Sequence, residues 1–362
     1  MERAIALARC AIGLTEPNPR VGCVIVSPDG KQVLGEGHTQ EAGGPHAEVM
    51  ALRDAAARGN SVSGATAYVT LEPCSHHGRT PPCCDALVQA GVSRVVASLA
   101  DPNPQVAGQG FARLRAAGIA VEIGPCANES RELNIGFFSR MERGLPWVRL
   151  KIAASLDGRT ALDNGASQWI TGAQARADGH AWRARGGAIL TGIGTVAADN
   201  PRLDVRLASV AHQPPIVIVD SQLQLALDAN VFIEGRPVLV YAGDSETSRR
   251  SALEARGATV VVLPNARGKV DLAAMLRDLA ARGVNELHVE AGHKLNGSLV
   301  REGLVDEFLL YLAPKLLGHG QPMADFGPLT ELTQALQLSF HDTKLIGNDL
   351  RILARVERST GD

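Results

Sequence analysis

The chain has 362 residues, 45% of them apolar and 20% charged, with a formal net charge of -2. That length exceeds what one hydrophobic core fills, so two domains are expected. The near-neutral charge lacks Lys/Arg runs interleaved with aromatics and speaks against a nucleic-acid partner, and no stretch approaches the length of a membrane span.

Residues 1–9 read as a charged amphipathic helix without the apolar run of a signal peptide, which predicts a cytoplasmic protein. Periodicity then predicts helix 2–13, strands 21–26 and 33–37, helix 46–58, strand 66–71 and helix 83–90. Strand 93–99, helix 108–117 and strand 119–123 follow. Gly59 and Gly91 stand where C-terminal helix glycines are expected, and Pro81-Pro82 precedes a helix start. This alternation implies an α/β sheet covered on both faces. A helix over 128–141 runs into Pro146, which forbids helical continuation, so the domains are expected to be 1–144 and 145–362.

The second half repeats the α/β rhythm. Strands are expected at 147–154, 187–191, 215–219, 237–241, 258–262, 286–290 and 306–313. Helices are expected at 173–184, 246–255, 270–282 and 296–302, and the last twenty residues add one or two strands and a frayed tail.

Six cysteines in a long chain without a signal peptide argue against a disulfide framework. Cys10, Cys23 and Cys126 read as small core fillers. Cys74 and Cys83 differ, because they follow His46-Ala47-Glu48 in the chain. One imidazole and two thiolates make a zinc site that leaves a fourth position for water, and Glu48 is the acid–base that a structural zinc site would not need. His46 and Cys83 both stand at helix starts, where the partial positive charge favours a thiolate. Cys84 competes with Cys83 as ligand, and the position directly after the prolines favours Cys83. Eight residues separate the cysteines, where nucleoside and polynucleotide deaminases have two. The intervening His76, His77 and Arg79 make either a solvated loop or a clamp for an anionic or carbonyl-bearing substrate.

In the second half, Gly192-Ile193-Gly194-Thr195-Val196-Ala197 follows a strand and enters a short helix, where backbone N–H groups can meet a phosphate. A tight strand–helix turn explains the pattern equally well. Asp220 stands at the distance of a ribose-binding acid in a dinucleotide fold, and a second glycine turn occupies 290–298. Arg183 and Arg206 flank the first turn in sequence.

Taken together, these segments resemble the bifunctional deaminase–reductases of riboflavin biosynthesis. The resemblance rests on Pro17 through Val24, His46 to Glu48, Glu72 through Cys84 and Asp101 through Gly108. It continues through Lys151 to Arg159, Ser167 to Thr171, Ala188 to Arg206 and Val289 to Gly297, and the long cysteine spacing is that family's own. It implies an α/β fold with an N-terminal cytidine-deaminase-like α/β/α domain and a C-terminal dihydrofolate-reductase-like α/β domain. The first would use zinc to remove the 2-amino group of a phosphoribosylamino-diaminopyrimidinone. The second would use NADPH to reduce the ribosyl group to ribityl.

By the same resemblance His46, Cys74 and Cys83 are the zinc ligands and Glu48 the proton shuttle, while Asn18, His38, Arg79 and Asn103 hold the deaminase substrate. Ala153, Trp169, Thr195, Asp199, Ser221 and the turn of Gly292, His293, Lys294, Leu295, Asn296, Gly297 and Ser298 would contact NADPH. Ser167, Arg183, Leu203, Arg206 and Glu290 would contact the reductase substrate, with Asp220 then not needed for ribose. The partners implied are small phosphorylated pyrimidines, with no nucleic acid and no membrane, and the assembly a homo-oligomer, dimer or tetramer. The competing expectation is a nucleoside or nucleic-acid deaminase with an appended nucleotide-binding domain.

Overall fold

The computed structural model describes residues 1–75, 81–104, 106–208 and 210–357. The chain divides into two units, Met1–Leu145 and Pro146–Asp362.

The first unit contains, in order, α1 (Glu2–Arg9), β1 (Gly22–Val26), β2 (Val33–His38), α2 (Ala47–Ala57), β3 (Thr66–Val69) and α3 (Cys83–Gln89). It continues with β4 (Arg94–Ala97), α4 (Gln109–Ala116), β5 (Ala120–Ile123), α5 (Ala127–Leu133) and α6 (Ile135–Arg143). The sheet order is β2-β1-β3-β4-β5, with β1 antiparallel to both neighbours and β3, β4 and β5 parallel. Successive strand residues point to opposite faces, and β1 uses this to seat a helix on each. A Cβ on Gly22 would meet the Ala4 carbonyl oxygen of α1 at 1.9 Å. Cys23, the next residue, pairs with Gly37, where a Cβ would lie 2.5 Å from Met50 of α2. Glycine thus lets two helix backbones come down on the sheet, and Ala51 and Ala55 make the facing side of α2 equally small.

The helix expected over 128–141 is two helices. Asn134 breaks it, because its side chain accepts from the Arg20 backbone N–H at 2.7 Å and donates to the Arg20 carbonyl at 2.9 Å. The segment holding Asn18 is thereby tied to α6 in the way a strand partner would tie it.

The second unit contains β6 (Trp147–Ser155), β7 (Arg159–Leu162), α7 (Ala173–Arg185), β8 (Ala188–Gly192), α8 (Ile193–Asp199), β9 (Ile216–Val219), β10 (Val238–Ala242) and α9 (Thr247–Ala255). Then follow β11 (Ala258–Val262), α10 (Leu272–Ala281), β12 (Glu286–Val289), α11 (His293–Arg301), β13 (Glu307–Ala313), β14 (Gly320–Pro322), β15 (Leu338–Ile346) and β16 (Asp349–Val356). Among the described residues the main sheet runs β11-β10-β9-β8-β12-β6-β13-β16-β15. It is parallel from β11 to β13 and closes with the antiparallel pair β16 and β15. Strands β8 to β11 build outward in sequence, and β12 then returns between β8 and β6. That reversal leaves the C-terminal ends of β8 and β12 side by side, the place where open α/β sheets bind ligands.

At the opposite ends of these strands Arg149 is fully buried between Glu286 at 2.7 Å and Glu307 at 2.5 Å. This charge cluster ties β6, β12 and β13 together away from the ligand edge, and removing one partner would leave a buried charge uncompensated.

Candidate metal centre and active clefts

Pro45 precedes the start of α2, and His46 occupies its N-cap in extended conformation. The imidazole caps no helix N–H. Instead its Nδ1 lies 3.5 Å from Cys74 Sγ and 3.4 Å from Cys83 Sγ. Cys74 lies beyond β3 in the turn, and Cys83 opens α3 directly after Pro82. The three ligand atoms all fall within 4.8 Å of one another. A tetrahedron with Zn–S of about 2.3 Å and Zn–N of about 2.0 Å has an N–S edge of roughly 3.5 Å, so the donor set fits a zinc ion.

The protonation states fit a cation too. The Cys83 N–H points at Cys74 Sγ at 3.3 Å. Hydrogen bonding from Cys83, together with that from His46, draws the Cys74 thiol well below its usual range, while the Cys83 thiol is driven up beside it. A divalent cation held by both sulfurs would displace their protons. Cys84 does not compete. Its thiol faces the Pro73 carbonyl at 3.2 Å and the Gly110 carbonyl at 3.5 Å, and burial pushes it up to about 12.

Glu48 sits in the first turn of α2 and is 4% exposed. Burial, then the neighbouring Cys74 thiolate, pushes its carboxyl up to about 7. A cleft of about 400 Å³ opens onto it, lined by His46, Glu48, Cys74, Asn18, Asn103, Asp101 and Arg140 among others. Asp101 is 9% exposed, and burial raises its carboxyl to about 6 even though it accepts from the Asn103 N–H at 2.8 Å.

In the second unit the glycine turns after β8 and β12 meet. A Cβ on Gly292 would lie 3.6 Å from Thr195 Oγ1, and one on Gly192 would touch the Leu295 side chain at 3.2 Å, whereas Gly194 faces open space. Open backbone beside a hydroxyl at the sheet's C-terminal edge fits a phosphate-bearing cofactor such as NADPH. Next to it, Glu290 accepts from Arg183 Nε at 2.7 Å and Nη2 at 3.0 Å, and from Lys151 at 3.4 Å. These cations, rather than burial, win at Glu290, whose carboxyl lies well below its usual range. Asp204 accepts from Arg206 Nη1 at 2.7 Å and Arg202 Nε at 3.0 Å, and its carbonyl accepts from Arg183. Leu203, beside it, adopts a left-handed φ of 49°.

The chain matches two family models. Residues 1–99 match the cytidine and deoxycytidylate deaminase zinc-binding region, and residues 146–352 match the RibD C-terminal domain. Riboflavin biosynthesis protein RibD of Escherichia coli is 46% identical over 97% of this chain and 96% of its own length. The chain belongs to the RibD family. The Aquifex aeolicus RibD is 39% identical over 97% of this chain and 96% of its own length. Among solved structures, Acinetobacter baumannii RibD is 42% identical with a TM-score of 0.89, covering 99% of this chain and 98% of its own. A Thermotoga maritima diaminohydroxyphosphoribosylaminopyrimidine deaminase/5-amino-6-(5-phosphoribosylamino)uracil reductase is 32% identical with a TM-score of 0.87, covering 98% and 97%.

RibD proteins are bifunctional deaminase–reductases of riboflavin biosynthesis, and this chain has both halves, with zinc and NADPH as their cofactors. The two-domain α/β fold expected from the sequence is the one found, and among the described residues no helix is long and apolar enough to cross a membrane.

Of the residues expected in the deaminase half of this RibD chain, Asn18 and Asn103 line the cleft with the metal ligands and Glu48. His38 ends β2, and the next residue, Thr39, is among those lining the cleft. Arg79 lies outside the described residues.

In the reductase half Arg183, Leu203, Arg206 and Glu290 gather around Asp204 and His180. Thr195 and the Gly292 end of the 292–298 turn face each other, with Leu295 against Gly192. The other end of that turn is occupied differently. Asn296 donates to the Met323 carbonyl at 2.9 Å, a Cβ on Gly297 would meet the Asp325 carbonyl oxygen at 1.8 Å, and Ser298 bonds the Lys294 carbonyl. His293 and Lys294 open α11 between these two ends. Asp199 closes α8 at the end away from Thr195, and Ser221 Oγ accepts from the Val270 N–H at 3.2 Å. Ala153 is half-buried on β6 and Ser167 half-buried in the loop before Trp169. Trp169 is 63% exposed, under the Arg176 guanidinium at 4.4 Å. Asp220 is buried and accepts the Leu225 N–H at 2.8 Å.

Sequence reading passed over Lys151, His180 and Asp204 as site residues, and gave Glu72 no role of its own. A lysine within the apolar strand 147–155 was the available signal for the first.

Proposed function

We propose that the Met1–Leu145 unit hydrolyses the 2-amino group of a diaminopyrimidinone carrying a phosphoribosylamino group, and that the second unit reduces the ribosyl group of that product to ribityl. The observation that carries this reading is the buried Glu48 carboxyl beside a three-donor His-Cys-Cys set at the floor of a cleft. A structural zinc site has four protein ligands and no such acid.

The zinc, when bound, supplies a Lewis acid that brings the pKa of water from 15.7 to roughly 7. Glu48 takes a proton from the attacking water and delivers it to the ring nitrogen next to the reacting carbon. It then takes the remaining proton from the new C–OH group and passes it to the departing amine, so a C–O bond has formed, the C–N bond breaks, a carbonyl is left and ammonia leaves. A carboxyl held near 7 can both accept and return a proton. Asn18 and Asn103 hold the pyrimidine edges from the cleft wall.

In the second unit NADPH supplies the hydride. The Gly192 and Gly292 turns and Thr195 hold its phosphates. Arg183 is clamped by Glu290 and the Asp204 carbonyl, so it orients the neighbouring groups. Arg206, whose side chain is 55% exposed, takes the substrate phosphate. We place the enzyme in the cytoplasm as a homo-oligomer.

A two-step assay tests the reading. Ammonia release from the diaminopyrimidinone phosphate should precede NADPH oxidation, and pre-deaminated substrate should oxidise NADPH at once. Oxidation of NADPH by the undeaminated substrate, without ammonia, would overturn the order.

A further inference from the structure

Glu72 is a carboxylate buried to 4% exposure in the wall of the deaminase cleft, two residues before Cys74. Its two oxygens accept four backbone N–H groups. Oε2 takes those of Asp101 at 3.1 Å and Gly108 at 3.0 Å, and Oε1 those of Gly110 at 2.9 Å and Phe111 at 3.2 Å. Three of these donors belong to the N-cap and first turn of α4, whose N-cap residue Gly108 has no side chain to offer. Glu72 therefore caps, from 36 residues away, a helix that cannot cap itself.

The fourth bond gives the arrangement its functional meaning. Asp101 donates its N–H to Glu72 and accepts the Asn103 N–H on its own side chain at 2.8 Å. Asp101 and Asn103 line the cleft. On the other side Glu72 is joined through Pro73 to the ligand Cys74, and α4 comes so near that a Cβ on Gly110 would meet the Pro73 carbonyl oxygen at 2.1 Å. Arg113 of α4 also reaches back to the Ser75 carbonyl at 3.1 Å and to Asp85 of α3 at 2.7 Å. One carboxylate thus spans the turn that holds the metal and the loop that meets the pyrimidine.

We propose that Glu72 is a positioning residue of the deaminase: by fixing Asp101 and the start of α4 on the Cys74 turn it sets where Asn103 stands relative to the metal, and so the affinity for the pyrimidine. This rests on the reading above that Asn103 contacts substrate. Glutamine has the shape of glutamate but presents an NH₂ to two of the four donors, so Glu72→Gln breaks one side of the span without opening a cavity.

The test is a double-mutant cycle of Glu72→Gln and Asn103→Ala in the full chain, measuring zinc per chain, deaminase kcat and KM, and NADPH oxidation with pre-deaminated substrate. Glu72→Gln should raise the deaminase KM about tenfold, as expected for a misplaced hydrogen bond. Zinc content and reductase kinetics should stay unchanged, and kcat should move less than KM. In the Asn103→Ala background the same change should raise KM less than twofold, because its effect passes through Asn103. A full tenfold effect in that background, an unchanged KM, or loss of zinc in step with activity would overturn the proposal. Should Glu72→Gln not fold, Glu72→Asp, which keeps the charge and shortens the reach, enters the cycle under the same criteria. If Asn103→Ala alone left KM unchanged, the substrate assignment of the cleft would fail instead, and the proposal with it.

Discussion

The two units build their sites in opposite ways. In the first, chemistry is concentrated in side chains drawn from two short segments: an imidazole and two thiols whose ligand atoms lie within 4.8 Å of one another, and the Glu48 carboxyl lining the same cleft. In the second, much of the site is backbone, namely two glycine turns on neighbouring strands, with charges gathered from Lys151, Arg183, Asp204, Arg206 and Glu290 across about 140 residues. A side-chain site fails at a single substitution. A backbone site yields by degrees, and each of its charges affects one ligand.

The sharpest way to break this contrast is Glu48→Gln. It should lower deaminase kcat by about 10³-fold, within the range of general acid–base catalysis, while zinc content and NADPH oxidation of pre-deaminated substrate stay at wild-type levels. Residual deamination within tenfold of wild type would remove Glu48 from the mechanism.

Next in size is the cysteine pair. Cys83→Ser should lose zinc and at least about 10²-fold of deaminase activity, as expected when a first ligand goes. Cys84→Ser should keep the metal, because that thiol faces the Pro73 and Gly110 carbonyls. Metal analysis of both purified variants reads the difference, and equal zinc loss in the two would contradict the assignment.

For the second unit Arg206→Ala should raise KM for the phosphorylated pyrimidine about tenfold or more, the cost of one charge-assisted contact, and leave KM for NADPH alone. Equal effects on both would place Arg206 elsewhere.

The smallest effect concerns acid. Desolvation, then Arg183 and Arg206, lowers His180 from 6.5 to about 4, against the opposing pull of Glu290 and Asp204. The folded state therefore holds this ring neutral while the unfolded chain protonates it. Its contribution to stability is complete above pH 6.5 and is lost as pH falls toward 4. Urea midpoints across that interval should slope less steeply in His180→Gln than in the wild type.

What could be read beforehand follows the same division. The metal site was legible because its chemistry lives in rare residue types at telling spacings, His46-x-Glu48 and Cys74 with Cys83. The choice between Cys83 and Cys84 was not settled there, because it depends on which way adjacent residues of one helix turn face. The α/β order was legible from periodicity, but the break at Asn134 was not, since its cause is a backbone partner at Arg20, far away in sequence. In the reductase half the residues alone placed Arg183 beside one glycine turn and Glu290 at the start of another, and only the resemblance gave them a role in binding substrate. A phosphate-binding backbone turn looks like any other glycine turn until the neighbouring strand supplies a second one. Glu72 went unremarked for a related reason: its four partners are main-chain N–H groups, which carry no signature in the side-chain sequence.

The return of β12 between β8 and β6 also dictates an order of assembly. Strand β6 begins at Trp147, but its two neighbours in the sheet begin at Glu286 and Glu307. During synthesis the first strand of the second unit must wait for more than a hundred residues before either edge is covered. Every strand and every metal ligand of the first unit precedes residue 146. A ribosome making this chain therefore presents a complete zinc-binding half while the other half is still an open set of apolar strands. Truncations near residue 280 should yield a metal-loaded first unit attached to an aggregation-prone remainder.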